Sequence, residues 1–298
     1  VSRMIEAEKL TKDYGGGRGV FDLSFAVEKG EVMGFLGPNG AGKTTTIRQM
    51  MGFIRPDQGS VRIGGRDCFA HAAQIQRELG YLPGEPAFME DMTGEAFLHF
   101  LAKMKGISDF GRARELMERF ELDGSARIKR MSKGTKQKVA IVAAFMGGPE
   151  LLILDEPTSG LDPLMQNRFI DLVLGEKQRG ATILMSSHIF EEVERTCDRT
   201  VIIREGRIAA VERLEKLKKT KRKLFSVQFE RPQDAAAFAA SWQKGARQQG
   251  DTVQAAVTGS PDAFLKAVSA YSVRDIDLHR ETLEELFLHF YGGEANDQ

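Results

Sequence analysis

Gly37, Pro38, Asn39, Gly40, Ala41, Gly42, Lys43 and Thr44 follow the spacing G-x-x-x-x-G-K-[ST], with Thr45 next in line. Glycines at 37, 40 and 42 allow the backbone to wrap closely around an anion and to turn successive N–H groups toward its oxygens. Lys43 is spaced to reach the β- and γ-phosphates of a nucleoside triphosphate, and the Thr44 hydroxyl to ligate Mg²⁺. A helix that starts near Lys43 would present its positive N-terminal end to the same anion.

Hydrolysis needs a second, acidic element, and Leu151-Leu-Ile-Leu-Asp-Glu-Pro157 has the composition for one. An apolar strand here would deliver Asp155 at its C-terminal end, where ligands of α/β sheets gather. Asp155 is the candidate to hold Mg²⁺, usually through a water. Glu156 beside it is the candidate general base that polarises the attacking water.

The elements that must position these residues can be read from apolar runs. Val32–Leu36, opened by Gly30–Glu31 and closed by Gly37, predicts a buried strand ahead of the glycine loop. Leu151–Leu154 and Thr182–Met185 are further continuous runs, the pattern of a parallel sheet covered on both faces. Thr200–Ile203 and Arg207–Val211 flank Glu205–Gly206 and predict a hairpin near the sheet's edge. Between the strands, Ala113, Leu116, Met117 and Phe120 stripe one helical face, and Phe97, Leu98, Leu101 and Met104 stripe another. These stripes predict an inserted helical subdomain over about 86–134 with its own small core, and no chemistry is assigned to them. The run Arg213–Lys223 is basic and is read as a linker, with a membrane-surface or partner contact and a solvated helix end as its alternatives. Phe225, Val227 and Phe229 then alternate with polar residues, as in a half-buried strand. An Ala-rich helix, a strand near Thr252–Val257, a helix near Asp262–Ala270 and a last helix striped by Leu283, Leu286, Phe287 and Phe290 complete a small α/β domain.

The bulk numbers narrow the function classes. The 298 residues are 42% hydrophobic and 28% charged, the balance of a globular protein with room for two domains. Lys plus Arg equals Asp plus Glu at 42 each, which argues against general nucleic-acid affinity. Cys68 and Cys197 are the only cysteines, too few for a disulfide framework, so a reducing compartment is expected. Val1–Leu10 lacks the unbroken apolar core of a secretion signal. The longest apolar stretches, Val139–Met146 and Leu151–Leu154, fall well short of the ~20 residues of a membrane helix.

Taken together, these motifs strongly resemble the ATP-binding-cassette family over roughly residues 1–212, in that family's order. The resemblance implies a P-loop NTPase core of α/β class with an inserted helical subdomain, followed here by the small domain over 224–298. Met131-Ser-Lys-Gly-Thr135 resembles a drifted form of the family's Leu-Ser-Gly-Gly-Gln signature. Ser132 is its natural helix N-cap, and Ser132, Lys133 and Gly134 would meet the nucleotide of a second subunit. Ser159-Gly-Leu-Asp162 resembles the loop that crosses the dimer interface, with Asp162 its acid. His188 resembles the family's switch histidine, in contact with the γ-phosphate and with Glu156. Tyr14 matches the aromatic that stacks on adenine, with Val20 expected beside it. One departure stands out: the loop that usually ends in Gln reads Gly80-Tyr-Leu-Pro-Gly84, and Glu85, one residue on, is the candidate substitute as a Mg²⁺ contact.

The resemblance implies an ATPase, with ATP and Mg²⁺, working as a homodimer on integral membrane permease subunits at the cytoplasmic face of the cell membrane. The segment Glu281–Phe290 resembles the tail of ATPases that serve drug or lipid exporters. The rival is a soluble cassette ATPase acting on nucleic acid or ribosomes; two cassettes in one chain or long coiled-coil insertions would mark it, and neither is present. A nucleotide-binding regulator without turnover is disfavoured by intact Lys43, Asp155, Glu156 and His188.

Overall fold

The structure, a computed structural model, describes residues 2–220, 223–242, 245–257, 260–280, 282 and 285. In chain order its first part runs β1 (Arg3–Asp13), β2 (Gly19–Glu28), β3 (Val32–Leu36), α1 (Lys43–Met50), β4 (Gln58–Ile63), β5 (Arg66–Asp67), α2 (Ala72–Glu78) and β6 (Gly80–Leu82). Then come α3 (Gly94–Lys105), α4 (Gly111–Arg119), α5 (Lys133–Phe145), β7 (Leu151–Asp155), α6 (Pro163–Gln178), β8 (Thr182–Ser187), α7 (Phe190–Thr196), β9 (Arg199–Arg204) and β10 (Arg207–Arg213). The remainder is α8 (Leu214–Thr220), β11 (Lys223–Phe229), α9 (Pro232–Ser241), β12 (Arg247–Gln249), β13 (Thr252–Val257), α10 (Asp262–Val268) and β14 (Val273–Arg280). Contacts divide the chain into two compact units, Val1–Arg213 and Leu214–Gln298.

A six-stranded sheet ordered β10-β9-β3-β8-β7-β6 forms the centre of the first unit. Five of its strands are parallel, and β10 closes one edge antiparallel to β9. Every residue of β3, β7 and β8 is buried, which explains why their sequences are continuous apolar runs rather than alternating ones. A second, antiparallel sheet is ordered β2-β1-β4-β5. On β1 the buried residues Ile5 and Ala7 are followed by Leu10, a step out of period two. A register shift between Ala7 and Leu10, with Lys9 at φ 49°, absorbs the extra residue and returns Leu10 to the core. Helix α1 lies between the sheets: Ile47 and Met50 share one apolar cluster with Ile5, Val27, Phe35 and Ile153.

The helical block consists of α3, α4 and α5. Thr93 caps α3 by accepting from the Ala96 N–H at 3.2 Å, and Gly106 ends it in the left-handed region. Phe97 and Leu98 are buried as the stripe predicts, but Met104 is 64% exposed. Ala102, four residues after Leu98, takes the inward position, so the buried face turns away from Met104 before the helix ends. On α4, Ala113 and Leu116 are buried, and Phe120 follows them inside.

The residues read as a basic linker supply the end of β10, helix α8 and the first residue of β11. In the second unit β11, β12, β13 and β14 form an antiparallel sheet ordered β12-β13-β11-β14. Phe225, Val227 and Phe229 on β11 all point into a cluster completed by Phe238 of α9 and Phe264 of α10. The alternation seen in the sequence is thus a sheet with helices on one face. The segment carrying Leu283, Leu286, Phe287 and Phe290 lies outside the described residues. Among the described residues no helix is long and apolar enough to cross a membrane.

Candidate nucleotide site

The loop between β3 and α1 is closed by its own lysine. Lys43, only 4% exposed, donates from Nζ to the Gly37 carbonyl at 2.7 Å and to the Pro38 carbonyl at 3.2 Å. Gly40 and Gly42 sit at φ 81° and 109°, backbone that a β-carbon would strain. Space forbids one too: a β-carbon on Gly42 would lie 2.5 Å from Val20 Cγ1, and one on Gly37 would lie 2.4 Å from the Ile203 carbonyl oxygen. Ala41 braces the loop from below, its carbonyl accepting from the Gly206 N–H at 3.0 Å. Helix α1 has no side-chain cap at its N-terminus, so its first N–H groups remain for an anion. Thr44 is exposed beside the loop, while Thr45 is half-buried.

Asp155 and Glu156 arrive at the C-terminal end of β7, two strands from β3. The Asp155 carboxylate is buried, accepts from Ser186 Oγ and is hydrogen-bonded by Thr44. Burial is the largest influence on it and pushes its pKa above the ordinary carboxylate value. Glu156 holds φ 46°, an unusual backbone for a residue with a long side chain. Its N–H is shared between the Ser186 carbonyl at 3.2 Å and Ser186 Oγ at 3.0 Å. The Glu156 carboxylate stands between two nitrogens, with Lys43 Nζ 3.4 Å from one oxygen and His188 Nδ1 3.4 Å from the other. Strand β8 ends at Ser187, which places His188 at the mouth of the same site.

A cleft of about 760 Å³ opens from Thr44, Asp155 and Glu156 toward Gly84, Glu85 and Lys133. At Gly84, where the resembling family has Gln, a β-carbon would stand 3.4 Å from Asp155 Oδ2. Glu85 is exposed in the same cleft. Ser132 Oγ accepts from the Thr135 N–H at 3.1 Å and so caps α5. Gly134 lies against the Ser159–Gly160 turn, since a β-carbon there would come 2.7 Å from the Gly160 carbonyl oxygen. Asp162 caps α6 by accepting from the Met165 N–H at 3.0 Å. Tyr14 stands apart from the cleft in the β1–β2 connection, 50% exposed, with Lys12 Nζ 6.0 Å from its ring centre. Val20 is fully buried and lies against Gly42 of the loop, because an apolar side chain on β2 has the sheet core to fill.

Some site residues have no role assigned from sequence. Ser186, quoted only as part of the doublet before His188, ties Asp155 and Glu156 together. Gln137, buried on α5, donates to the Pro157 carbonyl at 2.7 Å. Glu192 on α7 accepts from Thr158 and Ser187. A buried polar residue four positions after a motif residue, on the inner face of a helix, was the signal available for the last two.

The fit to a divalent cation rests on oxygen donors. A buried carboxylate and a hydroxyl share one wall of the cleft, the sparse protein contribution usual for Mg²⁺ among phosphates. Among the described residues no group of three His, Cys, Asp or Glu side chains forms a metal cage of its own.

The family described as ABC transporter matches residues 20–159. The linearmycin resistance ATP-binding protein of Bacillus subtilis is 35% identical over 288 residues, covering 94% of this chain and 84% of that protein. The daunorubicin/doxorubicin resistance ATP-binding protein of Streptomyces peucetius is 32% identical over 315 aligned positions, covering 100% and 95%. Among solved structures, one described as an ATP binding subunit of an ABC transporter superposes with a TM-score of 0.67 at 35% identity, covering 72% of this chain and 92% of that one. With relatives of this similarity along nearly its whole length, and a phosphate loop facing a paired Asp-Glu, the chain belongs to the ATP-binding-cassette transporter family as an ATP-binding, ATP-hydrolysing subunit.

Proposed function

We propose that residues 1–212 form the ATP-binding domain, that the cradle of Gly37–Thr45 holds ATP, and that Glu156 is the general base. The observation that supports this best is the carboxylate of Glu156 held between Lys43 and His188, each at 3.4 Å. The loop N–H groups and the open end of α1 bind the phosphates, and Lys43 compensates their charge. Glu156 orients a water and takes its proton as the water oxygen bonds to the γ-phosphorus and the β–γ bridging bond breaks. His188 fixes the far oxygen of that carboxylate. Thr44 and Asp155 are the residues that would hold Mg²⁺, which when bound neutralises charge on the phosphates. Glu85 shares the cleft as a further candidate oxygen ligand, and Tyr14 is the candidate platform for adenine.

The chain contains one cradle, so a composite site needs a second copy to supply Ser132, Lys133, Gly134 and the Asp162 loop. Closure around ATP and reopening after hydrolysis would drive permease subunits at the cytoplasmic face of the membrane. Export is the favoured direction, supported by relatives named for antibiotic resistance and by the bacitracin transport ATP-binding protein of Bacillus licheniformis, 38% identical over 231 residues, which cover 76% of each chain. Those names also favour transport over a soluble ATPase acting on nucleic acid or ribosomes.

Glu156→Gln should bind ATP with Mg²⁺ at wild-type affinity, lose about 10²–10⁴-fold in turnover and elute as an ATP-dependent dimer. Wild-type turnover would remove Glu156 as base, and a strictly monomeric ATP-loaded form would remove the dimer. Purification from membranes should bring an integral membrane protein down with the chain.

A further inference from the structure

Glu192 is a carboxylate in an expensive place. It lies on α7, 4% exposed, where an apolar side chain of similar volume would ordinarily be the more stable choice. One carboxylate oxygen accepts from Thr158 Oγ1, and the other accepts from Ser187 Oγ at 2.9 Å. Thr158 is two residues beyond Glu156, and Ser187 immediately precedes His188. Ser187 Oγ also accepts from the Ile189 N–H at 2.9 Å, so the turn that carries His188 is drawn around the same oxygen. On the other side of the Glu156 loop, Gln137 Nε2 holds the Pro157 carbonyl at 2.7 Å.

We propose that Glu192 is a positioning residue for hydrolysis, tying the Glu156 loop to the His188 loop so that base and histidine keep one geometry. This inference rests on Glu156 as the base. The need is local: Glu156 sits at φ 46°, and nothing within its own backbone favours that conformation. A strained residue stays put only where its neighbours are fastened, and Pro157 and Thr158 are fastened by Gln137 and Glu192. A carboxylate suits the task because it accepts from two hydroxyls at once, which no apolar side chain does. Its burial pushes its pKa up, and the Thr158 and Ser187 hydrogen bonds work against that shift by favouring the charged form.

The test compares steady-state ATP hydrolysis by Glu192→Ala, Glu192→Gln, Thr158→Val and Thr158→Ser in the full chain, with thermal melting of each. Glu192→Ala should lower kcat by about tenfold or more while KM for ATP stays within about twofold, because misplacement affects the reacting geometry and not the phosphate cradle. Glu192→Gln should recover kcat to within about threefold of wild type, since its amide oxygen still accepts from Thr158 while Ser187 turns its proton to the Ile189 carbonyl. Thr158→Val should lose activity and Thr158→Ser should keep it, which decides the matter even if Glu192→Ala does not fold. Wild-type kcat in folded Glu192→Ala or in Thr158→Val overturns the proposal. So does a Glu192→Gln no more active than Glu192→Ala at equal melting temperature. Glu156→Gln run alongside separates the two readings: if it is inactive while the Glu192 and Thr158 variants are normal, the base stands and only the positioning role falls.

Discussion

Lys43 Nζ lies 3.4 Å from Glu156 Oε1 while also donating to the carbonyls of Gly37 and Pro38. The ammonium is nearly enclosed, and these three oxygens all belong to its own site. Triphosphate oxygens would take over contacts that the loop and the base now provide, so binding of the substrate and release of the base are linked through one side chain.

Lys43→Ala removes that link. Nucleotide affinity should fall by about 2–4 kcal/mol, with turnover abolished, as measured by titration with a fluorescent ATP analogue and by phosphate release. Normal ATPase activity in this variant would dismantle the cradle assignment.

Asp155 should show a conflict between stability and function. Because burial raises its pKa above the ordinary 3.8, the folded protein keeps the proton to higher pH than the unfolded chain does. Its stabilising contribution is therefore present below pH 3.8 and is lost as pH climbs through the raised value. At pH 7 the buried charge is a net cost, and Asp155→Asn should melt about 2–4 °C higher without nucleotide. The difference should shrink on acidification, while ATP turnover falls by about 10²-fold. A lower melting temperature at neutral pH would contradict the desolvation argument.

Gly42→Ala faces two obstacles, a φ of 109° and a contact of 2.5 Å with Val20 Cγ1. The variant should be destabilised by about 1–3 kcal/mol and bind ATP weakly. Adding Val20→Ala should relieve the contact but leave the backbone strain, restoring part of the melting temperature and little of the affinity.

Both cysteines should be silent to thiol reagents. Burial pushes Cys68 and Cys197 up to about 12, so thiolate at neutral pH is roughly a thousandfold scarcer than for a free cysteine. Reaction with a chromogenic disulfide reagent should be negligible in the native protein and reach both residues after denaturation. Rapid native labelling would mean that α7 or the β5–α2 region opens readily.

Residue order alone determined the phosphate loop, the paired Asp155 and Glu156, the Ser132 cap and the central strands. Each of these is local: glycine spacing, a capping hydroxyl and an unbroken apolar run carry their meaning within a few residues. Helix stripes were legible as helices, yet the exposure of Met104 was not, because the buried face depends on which neighbour lies across from it. The burial of Val20 against the Gly42 loop was decided in the same way, by the sheet core that encloses it. Only tertiary structure could bring Glu192 to Thr158 across 34 residues, or Gln137 to Pro157 across 20. Hydrogen bonds between segments so far apart leave no periodic trace in sequence, since their geometry exists only after the sheet has set the strand ends side by side.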